Sequence, residues 1–328
     1  MQKVRLGIIG TGIAAKKLHL PALRKLEDCF EVTCVCNHTE PKAKEFASMV
    51  DAPYVLDYNE LLKRDDVDAV DIMLPVELNY QAATDSLRAG KHVMVEKPIA
   101  ATLEQARQMA DYDKKYPSLV TMVAENFRYA PGILKAKDII SSGSIGDVYS
   151  VHWDDFGLMT ADVAYAHTRW RIEHKYPGGF IMDGGVHNIS ALRTLLGELD
   201  IKSAKTLSIN PDIGEIDSIT MTFETPDGVF GCFNDYFSSN GFNENRLVIL
   251  GTKGSVILSR HKTNELVVVT GTNIAEQKYE FDYSDSYTDE FRDFYHAITQ
   301  GRQVISTFQE GAKDFETILN ALKAAGAA

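Results

Sequence analysis

With 328 residues, the chain has the length of about two ordinary domains, and 45% hydrophobic with 24% charged residues specify a globular protein with a sizeable core. No apolar run approaches the ~20 residues of a membrane-spanning helix, which excludes a helical membrane protein. A net charge of −12 with no basic block or Lys/Arg-rich tail argues against nucleic acid as a partner.

The first strand, Val4 to Ile9, begins at once and leaves no room for a signal peptide. It runs into Gly10-Thr11-Gly12-Ile13-Ala14-Ala15, a G-x-G-x-x-A pattern that precedes a helical stretch from Leu18 to Leu26. In that context Gly10 permits the tight turn and Gly12 lets the backbone approach a pyrophosphate. Ala15 keeps the helix close to the sheet, and the helix N-terminus attracts phosphate charge. A second strand, Glu31 to Cys36, ends in Asn37-His38-Thr39. An acidic residue here would hold a ribose 2′-hydroxyl. Neutral Asn37, with basic His38 and Lys42 near a 2′-phosphate, instead tilts the choice between NAD and NADP slightly toward NADP. Asn37 also suits a plain turn before the helix that starts near Glu40.

Three more strand–helix units follow: Pro53 to Leu56, Ala69 to Leu74 ending at Pro75, and a strand that closes in Glu96-Lys97-Pro98. Thr102 with Gln105 forms a capping box for the next helix, and Leu119 to Ala124 is a sixth strand. Strict alternation of strands and helices predicts a doubly wound parallel sheet over residues 1–125. Ligands bind such sheets at the carboxyl ends of the strands, where Lys97 is expected to be partly desolvated and able to donate to a developing alkoxide.

Residues 126–328 change pattern. After a helix from Ala130 to Ser141 and a strand from Asp147 to Trp153, short alternating strands follow one another from Lys205 to Phe281, with turns at Pro226-Asp227-Gly228 and Gly251 to Gly254. They read as an antiparallel meander with one face for helices and one for a partner subunit, and two helices end the chain. Cys29, Cys34, Cys36 and Cys232 have no zinc spacing and are expected as reduced thiols in a cytoplasmic protein without a metal site.

Between these regions, Asp183-Gly184-Gly185-Val186-His187 begins a helix whose apolar spacing (Ile189, Leu192, Leu195) stops at Gly197. Residues four apart on a helix share a face, so Asp183 and His187 are expected side by side. Two glycines at a helix start cost about 1 kcal/mol each against alanine and suit close approach of a ring.

Gly10-Thr11-Gly12, Glu96-Lys97-Pro98, and Asp183 with His187, in this order and spacing, resemble the Gfo/Idh/MocA family, the glucose–fructose oxidoreductase and inositol dehydrogenase group. The resemblance covers essentially the whole chain. It implies an α/β fold: an N-terminal Rossmann domain, then an α+β domain with a large open, mostly antiparallel sheet. It also implies NAD- or NADP-dependent hydride transfer at a ring carbinol or carbonyl of a sugar, cyclic polyol or related diol. By this resemblance Lys97, Asp183 and His187 are the catalytic set, with His187 moving the proton and Asp183 holding substrate. A cis Lys97–Pro98 bond is expected. Gly10, Thr11, Gly12, Ile13, Ala14, Asn37, His38, Lys42, Leu74, Pro75, Glu96 and Lys97 are the cofactor-facing candidates. Asn126, Arg128, Tyr129, Asp155, His167, Trp170 and Arg171 form a candidate substrate wall. Departures from the family pattern are Asn37 for Asp, Leu74-Pro75-Val76-Glu77 for Thr-Pro-Asn-His, and Ser190 for Asp three beyond the histidine. A homodimer or homotetramer through the open sheet face is expected. Two other functions stay open on the same fold: a glycoside hydrolase that recycles its NAD, and a regulator that senses NADP.

Overall fold

Six apolar segments pair side by side in the first part of the chain: β1 (Val4–Ile9), β2 (Phe30–Cys36), β3 (Tyr54–Val55), β4 (Ala69–Ile72), β5 (His92–Glu96) and β6 (Thr121–Ala124). Their order is β3-β2-β1-β4-β5-β6 and every neighbouring pair is parallel. β4 and β6 are buried at every position, the signature of a sheet covered on both faces. Strand order reverses between β1 and β4, so the carboxyl ends of β1, β4 and β5 flank the crevice where such sheets take ligands. The helices between strands begin as their sequences dictate. Thr102 Oγ1 accepts the Gln105 N–H at 3.2 Å, and Asp57 caps Asn59 at 2.9 Å.

The computed structural model describes residues 3–166, 168–260, 264–270 and 275–327. It divides into two compact units, Met1–Asn126 with Ser284–Lys313 and Phe127–Tyr283 with Asp314–Ala328. This differs from a single cut at residue 125 in that residues 284–313 return to the first unit. The reason is aromatic packing along one face of the helix Asp285–Gln300. Phe291 meets Phe30 edge-on at 5.8 Å and Tyr295 meets the same ring at 5.7 Å.

In the second unit, β7 (Val148–Phe156), β8 (Asp200–Leu207), β9 (Ser218–Glu224), β10 (Phe230–Tyr236), β11 (Glu244–Gly251), β12 (Gly254–Ser259), β13 (Glu265–Thr270) and β14 (Ala275–Glu280) form one sheet. Their order is β14-β13-β12-β11-β7-β10-β9-β8. All pairs are antiparallel except β7 with β10. The expected simple meander is therefore interrupted: β11 pairs with β7 rather than with its chain neighbour β10. Trp153 of β7 is fully buried and meets Phe233 of β10 edge-on at 6.2 Å, so the earliest strand holds the centre. One face carries helices. A Cβ on Gly132, in the helix Pro131–Ser141, would lie 2.8 Å from Leu258 Cδ1. The other face is half-exposed and polar, with Asn234 donating to Asp154 at 2.6 Å and Thr220 to Asn234 at 2.7 Å. Among the described residues no helix is long and apolar enough to cross a membrane.

Candidate active site

The turn after β1 has room at its first position for glycine alone. Gly10 sits at φ +98°, and a Cβ there would lie 2.2 Å from the Met73 carbonyl oxygen. Gly12 is exposed and a Cβ on it would meet nothing within 4 Å, so its side-chain volume is left free for a ligand. Ile13 and Ala14 follow, half-buried, and a π-helical turn, Ala15–His19, leads into the helix Leu20–Lys25. Thr11 is buried and receives Asn37 Nδ2 on its hydroxyl at 2.8 Å, while Asn37 Oδ1 accepts the Thr39 N–H at 2.9 Å. Asn37 thus closes its own turn and ties it to the glycine loop. His38 and Lys42 are exposed beside it. Leu74 and Pro75, half-buried, leave the end of β4, and Pro75 starts the helix Val76–Arg88. These residues fit a dinucleotide: open glycine volume for a pyrophosphate, and no carboxylate on Asn37 to repel added phosphate.

At the end of β5 the Lys97–Pro98 peptide is cis. Glu96 Oε2 accepts the Lys97 backbone N–H at 3.0 Å. The turn is gripped by a residue that the sequence reading passed over. Asn79, buried in the helix Val76–Arg88, donates through Nδ2 to the carbonyls of Glu96 at 2.9 Å and Pro98 at 3.0 Å. The available signal was a lone amide on the buried stripe Val76, Asn79, Ala83. The first unit also has cavities of about 330 and 600 Å³, lined by His92, Val120, Lys3 and Asp68 at the amino ends of the strands. They lie at the edge opposite the Lys97 turn.

In the second unit Asp183 ends one short helix, Gly179–Asp183, and His187 lies in the first turn of the next, Gly185–Leu196. The expected single helix is divided at Gly184. The two glycines there are explained by the sheet. A Cβ on Gly184 would lie 2.5 Å from Phe237 Cζ, and one on Gly185 would lie 2.8 Å from Asp235 Oδ2. Asp183 is buried and accepts from Arg171 Nε at 2.6 Å. The Arg171 guanidinium lies over the Trp170 ring at 4.1 Å and the Tyr165 ring at 5.0 Å. His187, half-buried, stacks on Phe127 with centroids 4.6 Å apart and planes 22° apart. Arg260 covers the Phe127 ring at 3.9 Å and the Tyr283 ring at 4.6 Å. Phe127, Tyr165 and Arg260 were not singled out from sequence: Phe127 and Arg260 sit far along the chain from the rings they pack on, and Tyr165, six residues before Arg171, carries no motif of its own.

The substrate-wall candidates divide. Arg128 is 3% exposed, with Nη2 on both oxygens of Asp314 at 2.6 and 2.8 Å and Nη1 on Thr194 at 3.1 Å. Arg193 Nη1 reaches the same Asp314 at 2.6 Å. Arg128 is thus committed to a buried ion cluster, a correction to its placement on an open wall. Tyr129 is equally buried, and Asn126 donates to Ser286 at 2.9 Å in the first unit. Asp155 faces inward on β7 and accepts from Asn188 at 2.9 Å and Asn245 at 2.7 Å. Its neighbour across the β7–β10 pair, Asp235, is 1% exposed, and burial first, then the Asp155 charge, pushes its carboxyl well above the usual range. Trp170 and Arg171 remain half-exposed, and His167 lies outside the described residues. Among the described residues no group of three or more His, Cys, Asp or Glu is arranged to hold a metal ion.

Comparison with known proteins agrees with this architecture. An uncharacterised protein of Saccharomyces cerevisiae is 34% identical, over 92% of this chain and 89% of its own. The 1,5-anhydro-D-fructose reductase of Ensifer adhaerens is 29% identical, over 98% and 96%. The crystal structure of an oxidoreductase from Thermotoga maritima superposes with a TM-score of 0.90 at 38% identity, covering 99% of this chain and 98% of that one. Levoglucosan dehydrogenase in complex with NADH and levoglucosan shares the fold, with a TM-score of 0.89 at 23% identity over 99% and 98%. Residues 4–124 match the NAD-binding Rossmann-fold domain and residues 137–327 the C-terminal alpha/beta domain of one oxidoreductase family. The chain belongs to the Gfo/Idh/MocA family and is an NAD(P)-binding oxidoreductase.

Proposed function

We propose that the protein transfers hydride between a nicotinamide cofactor and a ring carbinol or carbonyl of a sugar or cyclic polyol. The observation that carries the reading is the Glu96-Lys97-Pro98 turn, held by Asn79 at the carboxyl edge of a nucleotide-binding sheet. When bound, the cofactor accepts or supplies the hydride. Lys97 donates a hydrogen bond from Nζ to the substrate oxygen, which lowers the cost of charge as the C–H bond breaks. His187 takes the hydroxyl proton in oxidation and returns it in reduction, with its ring plane set by Phe127. Asp183, oriented by Arg171, holds a neighbouring hydroxyl and fixes the ring. The exposed bases His38 and Lys42 beside uncharged Asn37 favour NADP over NAD. The half-exposed polar face of the second sheet pairs with another copy to give a dimer or tetramer, which size-exclusion chromatography with light scattering checks.

The deciding experiment assays levoglucosan, 1,5-anhydro-D-fructose and a panel of sugars and cyclic polyols with NAD(H) and NADP(H) in both directions, with Lys97→Ala and His187→Ala as controls. The Lys97 variant is expected to lose about 10²–10⁴-fold in kcat while NADPH affinity stays within about threefold. Loss of cofactor binding with turnover intact contradicts the assignment. So does a His187→Ala enzyme whose activity stays at wild-type level across neutral pH. Sugar released from a glycoside without net change in the cofactor would replace this reading with the NAD-recycling hydrolase.

A further inference from the structure

His19 ends the π-helical turn that follows the glycine loop, and it is 1% exposed. Its Nδ1 lies 2.8 Å from Asp71 Oδ2, in the middle of buried β4, and its Nε2 lies 3.1 Å from Glu96 Oε1. A neutral imidazole has one N–H, so two carboxylate partners on one ring require either the imidazolium or a protonated acid. The other oxygen of Glu96 accepts the Lys97 N–H. One continuous chain of contacts therefore runs Asp71–His19–Glu96–Lys97, wholly within the first unit.

We propose that His19 is a positioning residue for Lys97: as an imidazolium clamped by Asp71 and Glu96, it fixes the Glu96 carboxylate and through it the Lys97 turn. The proposal rests on the role given to Lys97 above. Three elements present ionisable groups to the ring. They are Asp71 from β4, Glu96 from β5, and Glu290 from the helix Asp285–Gln300, with Glu125 beyond β6 facing Glu290. Phe291 closes the remaining side edge-on at 5.2 Å. Glu290 is 1% exposed, and neither of its carboxyl oxygens has a hydrogen-bond partner among the described residues. Burial first, with Glu96, Glu125 and Asp71 adding and His19 opposing, lifts its pKa well above the usual range, and burial likewise raises that of Asp71 against the opposing pull of His19. Burial alone would discharge His19, but the charges and hydrogen bonds of Asp71 and Glu96 outweigh it and raise its pKa well above that of a free histidine. Because His19 follows the glycine loop directly, the clamp also links the loop expected to receive the cofactor to the turn bearing the lysine.

The test is nitrogen NMR on the intact protein with its histidines selectively labelled, titrated from about pH 5 to about pH 9. One ring is expected to keep both N–H groups throughout, and its signals should vanish in His19→Gln. If every ring titrates to a neutral tautomer near the ordinary histidine pKa, the clamp is refuted without any reference to turnover. In kinetics with NADPH and the best sugar of the panel, His19→Gln is expected to lose about ten- to a hundred-fold in kcat. Its KM for sugar and its NADPH affinity should stay within about threefold. A normal kcat in His19→Gln beside an inactive Lys97→Ala overturns the positioning role alone. A fully active Lys97→Ala enzyme overturns the lysine's role instead. Should His19→Gln fail to fold, Glu96→Gln serves. Removing one carboxylate from the ring should make it titrate to neutral, and a ring that still keeps both protons overturns the clamp.

Discussion

Arg128 is the position where a substrate role and a structural role predict opposite outcomes. In Arg128→Met the side-chain volume is nearly kept, but Asp314 loses both of its contacts to Arg128 Nη2 and retains Arg193 at 2.6 Å. Removing one partner of a buried ion pair typically costs about 3–5 kcal/mol, and the retained Arg193 places this case near 3. The lost hydrogen bond to Thr194 adds about 1 kcal/mol or less, because the Thr194 hydroxyl still donates to the Ser190 carbonyl at 2.7 Å. The sum, about 3–4 kcal/mol, corresponds to a melting temperature lower by on the order of 10 °C. Circular dichroism melts and urea titrations measure the loss, and steady-state kinetics on the folded fraction at room temperature measures the rest. The expected result is a large loss of stability with KM for the substrate within about threefold of wild type. An unchanged melting temperature with KM raised tenfold or more would return Arg128 to the substrate wall and refute the buried-cluster argument.

Gly12→Val should leave the melting temperature of the cofactor-free protein near wild type, since a Cβ there meets nothing within 4 Å. It should also abolish the stabilisation of about 2.7 kcal/mol expected for the wild type at a hundred times the Kd of its nicotinamide cofactor, and a variant that keeps that gain contradicts the open-cradle reading. Asp235→Asn tests the sign of a buried acid. Because burial and Asp155 raise the Asp235 pKa in the folded state, the proton it binds there is a stabilising contribution, complete below the ordinary carboxylate range and lost as pH rises toward its folded pKa. The Asn variant lacks that loss, so its urea midpoint relative to wild type should rise between about pH 4 and about pH 7, and parallel curves would count against the assignment. Thr102→Ala removes the hydroxyl that caps the helix Leu103–Ala110 and should cost about 1 kcal/mol in urea titrations, with activity unchanged.

Much of the first unit was legible because its strands are continuous apolar runs bounded by glycine, proline and polar turns, signals that depend on neighbours in sequence. The same local logic located the glycine loop and the Glu96-Lys97-Pro98 turn. Where strand partners are chosen by packing across the sheet, local pattern carries no such information. β7 alternates much as β9 and β10 do, yet it lies between β10 and β11, with its Trp153 buried against Phe233. β8 was missed in its first half because it is an edge strand, exposed at alternate or adjacent positions along most of its length.

Side-chain partnerships were the least legible layer, for the same physical reason. A buried polar group is tolerable only when something satisfies it, and that partner lies wherever the fold brings it, 17 residues away for Asn79 and the Glu96 carbonyl and 52 for His19 and Asp71. Asp71 within an otherwise apolar strand was therefore the informative anomaly: an acid at 0% exposure requires a hydrogen-bond partner, and that partner is His19. Gly184 and Gly185 teach the converse. Their cost was visible in sequence and a reason for them was inferred, but close approach by a ligand and close approach by Phe237 and Asp235 of the same chain look alike until the sheet is in place. A costly residue in a sequence announces that something approaches closely. Whether the visitor is substrate or the protein itself is decided by packing.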